Sequence, residues 1–251
     1  MISRNDIKLL RSLRQKKYRQ QTNLFFIEGF RLLEEALLAA APVQRVFLAE
    51  SHRNSDLHRQ LVEFKISPSW GSESTLQQIS DTRHTQGCLA TVAMPPISSL
   101  DHLPPRLLIL DRPSDPGNLG TLMRAAAWFG LKMVALSPQS ADPYNPKVLR
   151  AGMGAHFHLF LLQSNLEQLL RILKQQQYRI FGGVMNGHPQ PDDGRTSPEK
   201  WALLLGSEVH GIAGDLQDYI TDPLTIEGSG NLDSLNLTVA GGILLSRLCR
   251  Q

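Results

Sequence analysis

The sequence predicts an α/β protein: a smaller α/β domain, then a larger one built on a mostly parallel sheet with helices on both faces. Three observations predict it. From residue 106 onward, apolar strand-like runs alternate with amphipathic helical ones, the pattern of successive strand–helix–strand units. Before that, the stretch Met94-Pro95-Pro96-Ile97-Ser98-Ser99-Leu100-Asp101-His102-Leu103-Pro104-Pro105 has four prolines in twelve residues. That excludes a helix interior or a central strand and marks a semi-rigid linker. Third, Gly/Asn-rich segments at 111–124, 205–212 and 226–237 each follow an apolar run, and the first and third lead into helices. A tight glycine turn between strand and helix brings backbone amides and polar side chains to one edge of a sheet.

In chain order, Asn5 is placed to cap a first helix whose apolar positions Ile7, Leu10, Leu13 and, by extension, Tyr18 leave its basic residues outward. Residues 28–40 read as a second helix with Phe30, Leu33, Leu37 and Leu38 on one stripe. Arg45–Ala49 reads as a strand, 54–64 as a polar helix and Gly87–Met94 as a strand. After the linker come a strand over 106–111, a helix from Asn118, and a strand over 132–136. Next follow a helix near 146–152, a strand near 157–161, a helix over 165–176, and strands over 178–184 and 201–206. A last helix runs from about Asn236 to Arg250, and 186–200 is a surface loop.

Bulk properties narrow the function classes. A chain of 251 residues, 41% hydrophobic and 20% charged, buries a sizeable core. No apolar run approaches the roughly 20 residues that a spanning helix needs. The start, Met1-Ile2-Ser3-Arg4-Asn5-Asp6, lacks the apolar stretch of a secretory signal. The expected location is the cytoplasm, with Cys88 and Cys249 as reduced thiols and no metal-ligand spacing. Net charge is only +3, yet residues 1–20 hold seven Lys/Arg against one acid, Asp6. Such clusters favour phosphate backbones through counterion release; the alternative is a solvated helix face.

Asp115-Pro116-Gly117-Asn118 and Gly228-Ser229-Gly230-Asn231 are turn formers in their own right. Neither a phosphate-binding Walker pattern nor a Gly-x-Gly-x-x-Gly after the first strand is present, which argues against the usual nucleotide sites. Taken together, the segments resemble those of the SpoU (TrmH-type) family of RNA ribose 2′-O-methyltransferases, in the SPOUT class. Asp115–Gly120 through Arg124 to Gly130 resembles motif 1; Gly206-Ser207-Glu208 with Gly211 resembles motif 2; Ser234-Leu235-Asn236 with Ala240 resembles motif 3. Residues 145–155 also resemble a family stretch. Lys16-Lys17-Tyr18-Arg19 and Phe26-Ile27-Glu28-Gly29 resemble its separate RNA substrate-binding domain. Glu227, Gly228 and Gly152 depart from the common pattern.

The resemblance implies residues 1–94 as an RNA substrate-binding domain, 95–105 as the linker and 106–251 as a methyltransferase domain closed by a trefoil knot. It implies S-adenosylmethionine as cofactor, held near Leu205, Gly206, Ile226, Ser234 and Leu235, with glycines 206, 228 and 230 letting main chain approach it. Catalytic residues by resemblance are Arg124, Asn118, Glu208 and Asn236. Arg124 acts either as the base or as a clamp on phosphate and developing alkoxide, since a guanidinium does not deprotonate readily. Asn118 and Asn236 orient the substrate or cap their helices, and Ser234 is an N-cap or a substrate contact. Glu208 pairs with Arg124 or braces its own loop. RNA contacts are expected from Arg14, Lys16, Lys17, Arg19 and Arg150. The implied partners are RNA, ribosomal before transfer RNA, and a second copy of the chain through the C-terminal domain. The competing reading is a non-catalytic RNA-binding or ribosome-assembly factor of the same fold.

Overall fold

A computed structural model describes residues 1–95, 103–189, 199–230 and 234–249. Contacts divide it into two units, residues 1–96 with 144–157 and residues 97–143 with 158–251. Most of the proline-rich linker, most of the loop after residue 189, and residues 231–233 of the third Gly/Asn segment lie outside the described residues.

The first unit opens with helix α1 (Arg4–Ser12). Its cap is Ser3 rather than Asn5: the Ser3 hydroxyl accepts from the Asp6 amide, and the Asp6 carboxylate accepts from the Ser3 amide at 2.9 Å. This reciprocal box satisfies two otherwise orphaned donors. Helix α2 (Lys16–Thr22) is separate and stops at Asn23, whose φ of 53° takes the left-handed conformation that asparagine tolerates. Then come β1 (Leu24–Glu28), α3 (Phe30–Leu38), β2 (Val43–Ala49), α4 (Asp56–Glu63), β3 (Ser69–Gly71), α5 (Glu73–Ile79) and β4 (Cys88–Ala93). Sheet order is β1-β4-β2-β3, with β4 antiparallel to β1 and β2, and β3 parallel to β2.

Both faces of this sheet are buried. Phe25, Ile27, Val46, Leu48, Cys88 and Ala90 point into one core, while Phe26, Phe47, Ala49 and Leu89 point into another. A strand buried on both sides shows no polar alternation, which is why β1 was not expected from the sequence. Cys88 is fully buried, and that burial pushes its thiol pKa up, so it is an inert core residue.

The second unit contains β5 (Arg106–Leu110), α6 (Pro116–Trp128) and β6 (Met133–Leu136). After α7 (Pro146–Gly152) follow β7 (Phe160–Gln163), α8 (Leu166–Gln175), β8 (Arg179–Pro189), β9 (Trp201–Leu205), α9 (Gly214–Gln217), β10 (Asp222–Thr225) and α10 (Leu237–Leu248). The six strands run in the order β10-β8-β9-β5-β6-β7, and every pairing is parallel. The mostly parallel sheet expected from alternation is the one observed. β9 and most of β5 are buried at its centre, as helices on both faces require. β8 runs five residues beyond its expected end and pairs with β10 across a register shift at Pro223/Leu224. Helix α10 lies close to α6 and β9 through Gly241. A Cβ there would sit 2.4 Å from Leu122 Cδ2 and 2.9 Å from Leu205 Cδ1. Leu244 and Leu248 of α10 are 2% and 0% exposed and belong to the unit's own core.

Helix α7 leaves the second unit's sequence and joins the first unit's core. Leu149 packs with Phe25, Ile27 and Leu33, and the Tyr144 ring lies 4.9 Å from that of Phe25. Among the described residues no helix is long and apolar enough to cross a membrane.

Candidate active site

The site grows from the carboxyl ends of β5 and β9, where loops of a parallel sheet place functional groups. Asp111, 3% exposed at the end of β5, accepts from the Ala213 amide at 3.0 Å and pairs with the Arg112 guanidinium at 3.0 Å. Its own amide donates to Leu205 O at 2.8 Å. The residue after β5 is thus fastened both to the end of β9 and to the chain just beyond motif 2.

Asp115 caps α6, accepting from the Asn118 amide at 2.7 Å, and Pro116 occupies the first turn, where a missing N–H costs nothing. The Asn118 side chain is therefore free of capping duty. Its Nδ2 donates to Glu208 Oε1 at 2.8 Å, and its Oδ1 accepts from Asn236 Nδ2 at 3.3 Å. Asn236 also caps α10, its Oδ1 accepting from the Thr238 amide at 2.8 Å. Of the alternatives the sequence left open, Asn236 thus combines both roles, while Ser234 is not the cap. Glu208 Oε2 further accepts from the Ser114 amide and hydroxyl at 3.4 and 3.2 Å. A continuous chain, Ser114–Glu208–Asn118–Asn236, joins all three motifs across separations of 94, 90 and 118 residues.

The motif 2 loop is closed on itself. Ser207 and Gly211 exchange both backbone hydrogen bonds at 3.0 Å, with Gly211 at φ +64°. Gly206 is required for this: a Cβ there would lie 1.9 Å from Gly211 C and 2.1 Å from Ile212 N. The close approach expected at Gly206 is by its own chain. Around Gly228 and Gly230 there is open space within 4 Å of a notional Cβ. Of the other candidate cofactor residues, Leu205 is buried, Ile226 half-buried, and Ser234 and Leu235 exposed, Leu235 at 47%.

Arg124 stands apart from the cluster. It is exposed on α6 and forms no hydrogen bond or ion pair among the described residues. Six residues from Asn118, it lies about 9 Å along the helix and about 120° around it, and Glu208 takes Asn118 and Ser114 instead of Arg124.

The expected RNA contacts divide. Lys16 and Lys17 are exposed without a partner among the described residues. Arg14 donates to the carbonyls of Ile79 and Ser80 at the end of α5, and Arg150 pairs with Asp81 at 3.0 Å. Arg19 is a correction: it is 2% exposed, and its Nη1 donates to Leu13 O at 2.7 Å, so it ties α2 to the end of α1 and is out of reach of RNA. Sequence reasoning missed Ser114 and the Asp111–Ala213 tie, since pairing across such separations leaves no local signal. The Asp115 cap was missed as well, the helix being expected from Asn118, although Asp before Pro is a helix-start signature.

Residues 105–246 match the profile of the SpoU rRNA Methylase family. The chain belongs to that family. Residues 4–90 match the MRM3-like substrate binding domain. Over 244 residues the chain is 32% identical to the 23S rRNA (guanosine(2553)-2'-O)-methyltransferase RlmP of Bacillus subtilis (strain 168), covering 96% of this chain and 95% of that one. It is 29% identical to the 23S rRNA (guanosine-2'-O-)-methyltransferase RlmB of Acinetobacter baylyi, over 86% of this chain and 94% of that one. The AdoMet-bound rRNA methyltransferase from Sinorhizobium meliloti aligns with a TM-score of 0.86 at 25% identity, over 99% of this chain and 96% of that one.

Glu208 carries a pH signature. Burial pushes its pKa up, but the hydrogen bonds from Asn118, its own backbone and Ser114 outweigh burial and hold it below the ordinary 4.5. A group depressed on folding stabilises above its unfolded pKa, and that contribution is lost as pH falls through the folded value. We expect urea midpoints of wild type and Glu208→Gln to converge as the pH falls below the ordinary 4.5, with wild type the more stable at pH 7. Parallel curves over that window would show that the carboxylate does not brace the motifs.

Proposed function

We propose that this protein transfers a methyl group from S-adenosylmethionine to a ribose 2′-hydroxyl of ribosomal RNA. In this reading residues 1–94 select the RNA and residues 106–251 carry the chemistry. The observation that supports it most is the Ser114–Glu208–Asn118–Asn236 chain, which gathers all three family motifs at the carboxyl ends of β5 and β9.

The residues fit the cofactor. Half-buried Ile226 and exposed Leu235 offer apolar surface for adenine, the backbone at Gly228 and Gly230 is open to approach, and Glu208 offers negative charge for a sulfonium cation. Leu205, Gly206, Ile226, Ser234 and Leu235 would hold it, within a trefoil knot of the C-terminal segments. When bound, it supplies an electrophilic methyl group. Asn118 and Asn236, each held at both its side-chain oxygen and its side-chain nitrogen, orient the ribose through the second N–H of each amide, and such positioning supplies much of the rate. Arg124, always cationic and without a partner among the described residues, grips a substrate phosphate and stabilises the alkoxide that forms as the 2′-hydroxyl loses its proton.

The enzyme works in the cytoplasm as a homodimer through its C-terminal domain. Trp128, 85% exposed on α6, and Val239, 48% exposed on α10, are apolar surface that a second copy would cover.

The test is transfer of labelled methyl from S-adenosylmethionine to total RNA from cells lacking the protein, followed by mapping. Label in one 2′-O-methylnucleotide of ribosomal RNA is expected. Label confined to transfer RNA would overturn the substrate, and no label in any RNA fraction, ribosomal assembly intermediates included, would overturn the activity.

A further inference from the structure

The first two helices form a groove that the chemistry at the strand ends does not use. Lys8, Leu9 and Arg11 line it from α1, Tyr18 from α2 and Gln15 from the turn between them, around an open volume of about 540 Å³. That lies within the roughly 300–1,000 Å³ of sites that seat small ligands. No acid lines it, and the only carboxylate of α1, Asp6, is buried and ion-paired with Arg45. Lys8, Lys16 and Lys17 are exposed and form no hydrogen bond or ion pair among the described residues. Tyr18 shows 38% of its surface and lines the groove with Lys8, while Lys16 and Lys17, outside the lining, precede it on α2.

Like charges held together repel one another, and a polyanion relieves the repulsion while releasing its own counterions. An exposed aromatic ring among cations adds a second preference. It offers a stacking face, and a base can use that face only when it is not already stacked in a duplex. We propose that the α1–α2 groove seats an unpaired stretch of the RNA, with a base on Tyr18, a phosphate on Lys8 within the groove, and flanking phosphates on Lys16 and Lys17 at the start of α2. The proposal rests on the reading of the protein as an RNA-modifying enzyme and places the grip of its N-terminal unit on single-stranded RNA. It replaces the buried Arg19 and the carbonyl-bound Arg14 with residues whose charge is available.

The test is fluorescence anisotropy of the full chain with a labelled mixed-sequence RNA of about 12 nucleotides, inside the 4–16 spanned by known single-strand grooves, across a salt series. The same RNA annealed to its complement is the comparison. We expect tighter binding of the single strand and a loss of roughly ten-fold for Tyr18→Ala, with Tyr18→Phe restoring affinity. The triple variant Lys8→Gln, Lys16→Gln, Lys17→Gln should flatten the plot of log K against log salt by about 2, at roughly 0.7 per phosphate lost. Equal affinity for single strand and duplex, a Tyr18→Ala variant that binds as wild type, or an unchanged salt slope would each overturn the proposal. Because the readout is binding, it separates from the activity. Methyl transfer with insensitive groove variants sinks the groove alone. Groove-dependent binding by a chain that methylates no RNA sinks the activity alone.

Discussion

Replacing Arg124 with alanine lowers kcat for methyl transfer by about 10²–10³-fold, the usual cost of removing a donor aimed at developing negative charge. The variant should melt at the wild-type temperature and bind S-adenosylmethionine with wild-type affinity, because Arg124 is exposed and bonded to nothing among the described residues. Arg124→Lys should recover little, since an ammonium keeps the charge but loses the two-pronged grip on phosphate. Single-turnover rates with saturating RNA, alongside calorimetry for the cofactor, separate these effects. A kcat within two-fold of wild type would remove Arg124 from the machinery.

The largest expected effect on stability is at Gly206. Alanine there would drive its Cβ to 1.9–2.2 Å from the backbone of Gly211 and Ile212, a clash that no side-chain rotation can relieve. The Ser207–Gly211 hydrogen bonds must break for the methyl to fit. A loss above about 4 kcal/mol is expected, the range reserved for lesions of this kind. At roughly 2–4 °C per kcal/mol the melting temperature falls by on the order of 10 °C. Gly214→Ala is the matched control, with open space around its Cβ position, and should change stability by no more than about 0.5 kcal/mol. Equal melting temperatures for the two variants would show that the motif 2 loop is looser than its geometry implies.

The second unit was legible because its code is local. Each parallel strand is a short apolar run, each helix has its own stripe, and the two alternate; β5, α8 and β9 fall within two residues of expectation. The first unit was less so. Phe25-Phe26-Ile27 sends neighbours to opposite faces of a sheet buried on both sides, and no polar residue marks the period. The separate helix α2 hid behind a continuous basic run, in which Arg19 looks like its exposed neighbours. Its burial and its contact with Leu13 O distinguish it. The same holds at the site: the motifs announced Asn118, Glu208 and Asn236, but which amide meets which carboxylate is decided by chain closure across about a hundred residues.

Residues 144–157 belong to the first unit although the chain on either side belongs to the second. The polypeptide therefore passes between units three times, and the N-terminal unit is not a bead on a string. An RNA-recognition module attached by one linker can be exchanged between enzymes by a single recombination event. Here a graft of residues 1–94 alone would leave Tyr144, Leu149 and Phe157 facing a foreign core in place of Phe25 and its neighbours. A change of RNA specificity by shuffling then requires two coordinated exchanges, so diversification by point substitution on the existing surface is the shorter evolutionary route.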